Sequence, residues 1–86
     1  MDTWPFKHLS VGLSYVVIRE FKDFDGEVHP VGERWTYLGQ NFLPYDDGQS
    51  LFLIIDGKER QIRMQWREEE QGPILDHMNE YVEAVR

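Results

Sequence analysis

Between Leu51 and Trp66 the chain switches from one hydrophobic pattern to another. Leu51 to Ile55 is apolar at every position, as in a strand covered on both faces. Asp56-Gly57 follows, a pair suited to a tight reversal because both residues accept positive φ at little cost. Beyond it Ile62, Met64 and Trp66 alternate with Gln61, Arg63 and Gln65, the signature of a half-buried strand. Two strands over about 51–55 and 59–66, joined as a hairpin, are therefore predicted. Upstream, the β-branched run Val16, Val17 and Ile18 predicts a strand over about 13–21. Trp35 and Tyr37, alternating with Thr36 and Leu38, predict another over about 34–38. Residues 22–33, rich in Asp, Gly and Pro, read as a long excursion between strands, and 41–50 read as a loop closing on Asp46-Asp47-Gly48.

The period changes near the C-terminal end. Pro73 suits a first helical turn, where its missing N–H costs nothing. Ile74, Leu75, Met78, Tyr81, Val82 and Val85 then form one apolar stripe, opposite Asp76, His77, Asn79, Glu80 and Glu83. The spacing predicts a helix over about 73–85. The expected fold class is α+β: a small bent antiparallel sheet with one C-terminal helix, either an SH3-like half-open barrel or, as its rival, a flat sheet with the helix on one side. A chain of 86 residues has room for one domain, 1–86, and no second core.

Composition narrows the chemistry. There is no cysteine, which removes disulfides, thiolate metal sites and cysteine nucleophiles together. The N-terminal stretch MDTWPFKHLS has an acid at position 2 and no apolar run, unlike a signal peptide. No apolar stretch approaches the roughly 20 residues of a membrane-spanning helix. The expectation is a soluble cytoplasmic protein with no membrane partner. Net charge is −7, with residues 58–67 at +3 (Lys58, Arg60, Arg63 and Arg67 against Glu59) and the remainder at −10. That balance makes nucleic-acid binding an unfavourable reading, confined to the basic strand 58–67.

Three Asp-Gly steps raise the question of a cation site. An EF-hand loop needs acids at alternate positions closing on a bidentate Glu. Asp46 and Asp47 are followed by no acid before Asp56, and in the 22–33 segment Gly26 comes too early for the alternating Asp23, Asp25 and Glu27. Turn chemistry explains these steps better; the Asp23/Asp25/Glu27 trio is the stronger of the cation alternatives. His8, His29 and His77 share no metal-ligand spacing, and no glycine-rich phosphate loop or nucleophile elbow is present. No cofactor, metal or catalytic activity is expected.

Two candidate surfaces remain. The Gln61, Arg63 and Gln65 face, continued toward Arg67, lines up planar hydrogen-bonding groups suited to a carboxylate-bearing partner. Its bland counterpart is pairing of these arginines with neighbouring acids, each pair worth little at a surface. Trp35, Tyr37, Phe42, Pro44 and Tyr45 fall close together in sequence, as in an aromatic peptide groove; filling a small core is the bland counterpart there. The candidate binding residues are Trp35, Tyr37, Phe42, Tyr45, Arg63 and Arg67.

The stretches GERWTYLGQNFLPYDDGQSLF and IRMQWREEEQGPI, with a tyrosine near the C-terminus, resemble a family of short bacterial proteins known only as a domain of unknown function. The resemblance spans about residues 9 to 82; FLPYDDG and QWR-x-E-x-Q-G-P-I are its most specific parts. It implies a stand-alone bacterial domain with no assigned activity and supplies no catalytic residues. The functional expectation is a non-catalytic protein-interaction or accessory module, with another protein as partner. The alternative is an acidic inhibitor, antitoxin-like or immunity-like, covering a basic partner. A homo-oligomer is left open.

Overall fold

The computed structural model describes residues 9–43 and 48–85. Its backbone is organised around the hairpin of β5 (Gly48–Ile55) and β6 (Lys58–Gln65). Asp56 (φ 52°) and Gly57 (φ 82°) turn the chain between them, both in the left-handed region that a two-residue hairpin demands. Leu51, Leu53 and Ile55 pair with Ile62, Arg60 and Lys58. Strand β4 (Arg34–Leu43) pairs with the other side of β5, β1 (Ser14–Val17) pairs with β4, and β7 (Val82–Ala84) pairs with β1. The result is a five-stranded antiparallel sheet in the order β6-β5-β4-β1-β7. Short strands β2 (Phe21–Lys22) and β3 (Val28–His29) form a separate small hairpin inside the excursion that links β1 to β4.

Alternation sends one side of every long strand inward. Tyr15, Val17, Trp35, Tyr37, Leu51, Leu53, Ile55, Ile62 and Met64 are buried on that side, closed off by Leu75, Met78 and Val82. Strand β4 runs well past the predicted 34–38 because a bulge hides its continuation. Leu38 and Gly39 together oppose Phe52, so the inward parity changes from Trp35 and Tyr37 to Gln40 and Phe42. A strict alternation test loses the strand at that step.

The expected α+β class, with a half-open barrel and a helix over 73–85, does not describe the chain. Of the described residues 51% are strand and 11% helical, and only a short helix is present, α1 (Gly72–Asp76), followed by one 3₁₀ turn, Met78–Glu80. The protein is mostly β. The apolar stripe is divided between two structures: Leu75 and Met78 are buried from the helical turns, while Val82 is buried from β7. The physical reason is the free edge of β1. Val82, Glu83 and Ala84 pair with Val17, Val16 and Tyr15, satisfying main-chain groups that a longer helix would leave exposed on that edge. Gly72 fixes the entry to α1, since a Cβ there would lie 2.7 Å from the Arg67 carbonyl oxygen.

Burial raises the Tyr37 hydroxyl to about pKa 12, with the neighbouring Tyr15 adding to the shift. A tyrosine that ionises less readily folded than unfolded stabilises the fold fully below about pH 10, and loses that contribution as pH rises toward 12. Unfolding free energy should therefore fall between pH 10 and 12, and Tyr37→Phe should flatten the decline; denaturant titrations at stepped pH measure both.

Candidate functional site

Gln61, Arg63 and Gln65 lie on the outer face of β6, the side away from the core, opposite Phe52, Ser50 and Gly48 of β5. Gln61 Nε2 donates to Ser50 Oγ at 2.9 Å. Two recesses open along this face. One, about 270 Å³, is bounded by Leu38, Phe52, Glu59, Arg60 and Gln61. The other, about 150 Å³, lies between Phe24 and Leu43, with Ser50, Arg63 and Gln65 lining it. Phe24, Leu38 and Leu43 are 45%, 38% and 47% exposed, so each recess has an apolar wall facing solvent. Gln65 Oε1 is buried and accepts no hydrogen bond from the described residues.

Phe24 reaches this face because the 18–33 excursion is anchored from inside. Asp23 is only 4% exposed and His29 only 2%. Asp23 Oδ1 accepts from the N–H groups of Asp25 and Glu27, both at 3.0 Å, which closes the turn. Asp23 Oδ2 lies 2.9 Å from His29 Nε2, and His29 Nδ1 lies 2.7 Å from Glu33 Oε2. The Trp35 indole donates to the same Glu33 oxygen at 2.8 Å. Buried charged groups persist only when hydrogen-bonded in this way.

From that anchor the tip of the excursion clamps β6. The Phe24 N–H donates to the Arg63 carbonyl at 2.8 Å. Arg63 donates two bonds to Asp25, from Nη2 at 2.7 Å and Nε at 3.2 Å, and Arg60 Nη2 donates to Glu27 at 2.8 Å. Hydrogen bonding by Arg63, aided by its charge, holds the Asp25 carboxyl below its ordinary value; the same bond and the Asp25 charge raise the Arg63 guanidinium. These pairs sit in solvent and order the tip more than they stabilise the fold.

The candidate residues are divided among several places. Trp35 and Tyr37 are buried in the core and present no side chain to a partner. Phe42 is half-buried on the inward side, across from Gln49. Arg63 is on the outer face, and Arg67 is exposed in the turn after β6, its carbonyl accepting from Glu70 and Gly72. Tyr45, with Pro44, Asp46 and Asp47, lies outside the described residues, as does His8. Asp23, Asp25 and Glu27 do not converge: His29, Arg63 and Arg60 respectively engage them. Asp25-Gly26 and Asp56-Gly57 are corners, with Gly26 at φ 84° and Gly57 at φ 82°.

Sequence reasoning missed the Asp23–His29–Glu33 chain and the walls formed by Phe24, Leu38 and Leu43. The histidine and its two acids are spaced six and four residues apart, which fits no motif. The available signal was a histidine and several acids inside a segment that otherwise needed only turn residues.

Residues 3–86 match the family described as a domain of unknown function, DUF3601, and the chain belongs to that family. It is also similar to a solved structure, an integron cassette protein from the mobile metagenome of Vibrio cholerae. The two are 35% identical, with a TM-score of 0.91 over 96% of this chain and 92% of the other. No curated protein matches.

The Arg63–Asp25 clamp gives a direct test. In Arg63→Ala the Asp25 carboxyl should titrate at higher pH than in the wild type, followed by carboxyl-carbon NMR. An unchanged midpoint would mean that the bidentate pair does not persist in solution.

Proposed function

We propose that this member of a family of unknown function is a non-catalytic protein-interaction module of the bacterial cytoplasm, binding its partner through the outer face of β5 and β6. The observation that carries this reading is the pair of recesses with solvent-facing apolar walls, Leu38 and Phe52 in one, Phe24 and Leu43 in the other, with Arg63 between them. Exposed apolar side chains around recesses favour association, while Arg63 and the glutamines give it orientation. Because Asp25 already neutralises Arg63, affinity comes from burying the walls and not from capturing a carboxylate. Among the described residues no helix is long and apolar enough to cross a membrane.

A second reading keeps the same face and makes the protein an inhibitor of a basic partner. Its support is the internal pairing of Arg60 and Arg63 with Glu27 and Asp25, which compensates the positive strand and leaves an acidic exterior to steer a basic protein. The same pairing weakens the case for nucleic acid.

Leu38→Asp and Leu43→Asp test the assignment. Each should weaken capture of the partner from bacterial lysate by about tenfold or more, with little change in Tm, because both side chains are exposed. Undiminished capture by both variants would remove the outer face from the account. An association rate that falls steeply with salt would favour the inhibitor reading over a neutral partner.

A further inference from the structure

The main chain of β6 carries a second feature. In a two-residue hairpin the pair flanking the turn exchanges hydrogen bonds, so Lys58, Arg60, Ile62 and Met64 direct their N–H and C=O groups into β5. Glu59, Gln61, Arg63 and Gln65 direct theirs away from the sheet. Two of these positions are engaged. The Gln65 N–H donates to Gln71 Oε1 at 3.0 Å and the Gln65 carbonyl accepts from the Gln71 N–H at 3.1 Å. The Arg63 carbonyl accepts from Phe24. Among the described residues nothing meets the outward main chain of Glu59 and Gln61. The hairpin tip and Gln71 thus cover the far half of this edge and leave the near half open, beside the recess that Glu59, Gln61, Phe52 and Leu38 line.

We propose that the Glu59–Gln61 edge is a strand-addition site for an extended segment of a different protein. The segment would pair antiparallel, as every strand of this sheet does, and carry a Lys or Arg opposite Glu59. Two positions along, opposite Gln61, it carries a bulky apolar residue that covers the Leu38/Phe52 recess. Main-chain bonds supply attachment and the alternate side chains supply selectivity.

A second copy of this chain fits poorly, because each register that aligns the outward groups has a cost. Pairing Glu59 with Gln61 places Arg60 against Arg60, and pairing Glu59 with itself opposes two carboxylates. Pairing Gln61 with itself sets Glu59 against Arg63, where the hairpin tip already occupies the edge. A segment of another protein that carries complementary charge and ends short of Arg63 avoids all three. The proposal rests on reading the chain as a protein-binding module and specifies which groups do the binding.

The test uses the full chain, ¹⁵N-labelled, with the peptide acetyl-Thr-Ile-Thr-Lys-Thr-amide as probe. Paired antiparallel, its Ile opposes Gln61, its Lys opposes Glu59, and it ends short of the Arg63 position that Phe24 covers. At roughly 1 mM peptide, the weak end of specific binding, amide shifts should concentrate at Glu59, Gln61 and Arg63. They should fade when the Lys and Ile nitrogens are methylated or when the Lys is replaced by Glu. No shifts, or shifts indifferent to methylation, would overturn strand addition. Shifts confined to Leu38 and Phe52 would overturn it too, while leaving the outer-face reading standing. Concentration-dependent shifts of the same amides without peptide would replace the foreign segment by a second copy and overturn the proposal.

Discussion

The course of the excursion between β1 and β4, and with it the shape of the candidate site, depends on one buried side chain, His29, held at both ring nitrogens by the carboxylates of Asp23 and Glu33. An excursion of sixteen residues between β1 and β4 has only a four-residue hairpin of its own, too little to define its position. The imidazole supplies what the small hairpin lacks. Phe21 stacks on it with ring centroids 5.0 Å apart, and Trp35 meets it edge-on at 6.2 Å, so the polar chain lies under an aromatic cover. Removing the ring would take from the buried Asp23 carboxylate its side-chain partner and leave Glu33 with the Trp35 indole alone. A buried charge that loses its partner is strongly destabilising. The excursion therefore has one well-defined course, and that course ends with Phe24 against β6.

The consequence for function is spatial. With Phe24 bonded to the Arg63 carbonyl, and Arg60 and Arg63 drawn to Glu27 and Asp25, one half of the β6 edge is covered, and among the described residues nothing covers the other half. The same clamp makes Phe24 one wall of a recess whose other wall, Leu43, comes from β4. A basic strand in an acidic chain is thereby converted from a free positive stripe into an ordered, nearly neutral surface. This is why shape and main-chain pairing, more than charge, carry the proposed association.

The hairpin 51–66 was legible from sequence because its signal is local: an Asp-Gly corner, one strand apolar throughout and one alternating. Its outward set, Gln61, Arg63 and Gln65, follows from the same parity. What failed depended on distant partners. The stripe from Ile74 to Val85 satisfies a helical period, yet the edge of β1 draws Val82–Ala84 into the sheet, and no local pattern announces that a distant strand lacks a neighbour. Strand β4 past Leu38 was hidden by a bulge that exchanges the two faces. Trp35 and Tyr37 suggested a groove because sequence proximity does not say on which side of a sheet a ring falls; both fall inward. The anchor at His29 was invisible for a related reason: its partners lie six residues before it and four after, and only the folded turn brings them to opposite sides of the ring.

Hydrogen exchange at one amide tests this account most directly. In the wild type the Phe24 N–H should be protected by the Arg63 carbonyl. In His29→Ala its protection should collapse, while Arg60, Ile62 and Met64, bonded within the β5–β6 hairpin, keep theirs and certify that the sheet remains folded. Equal protection of Phe24 in both proteins would contradict the account, because the excursion would then hold its place on β6 without the buried histidine.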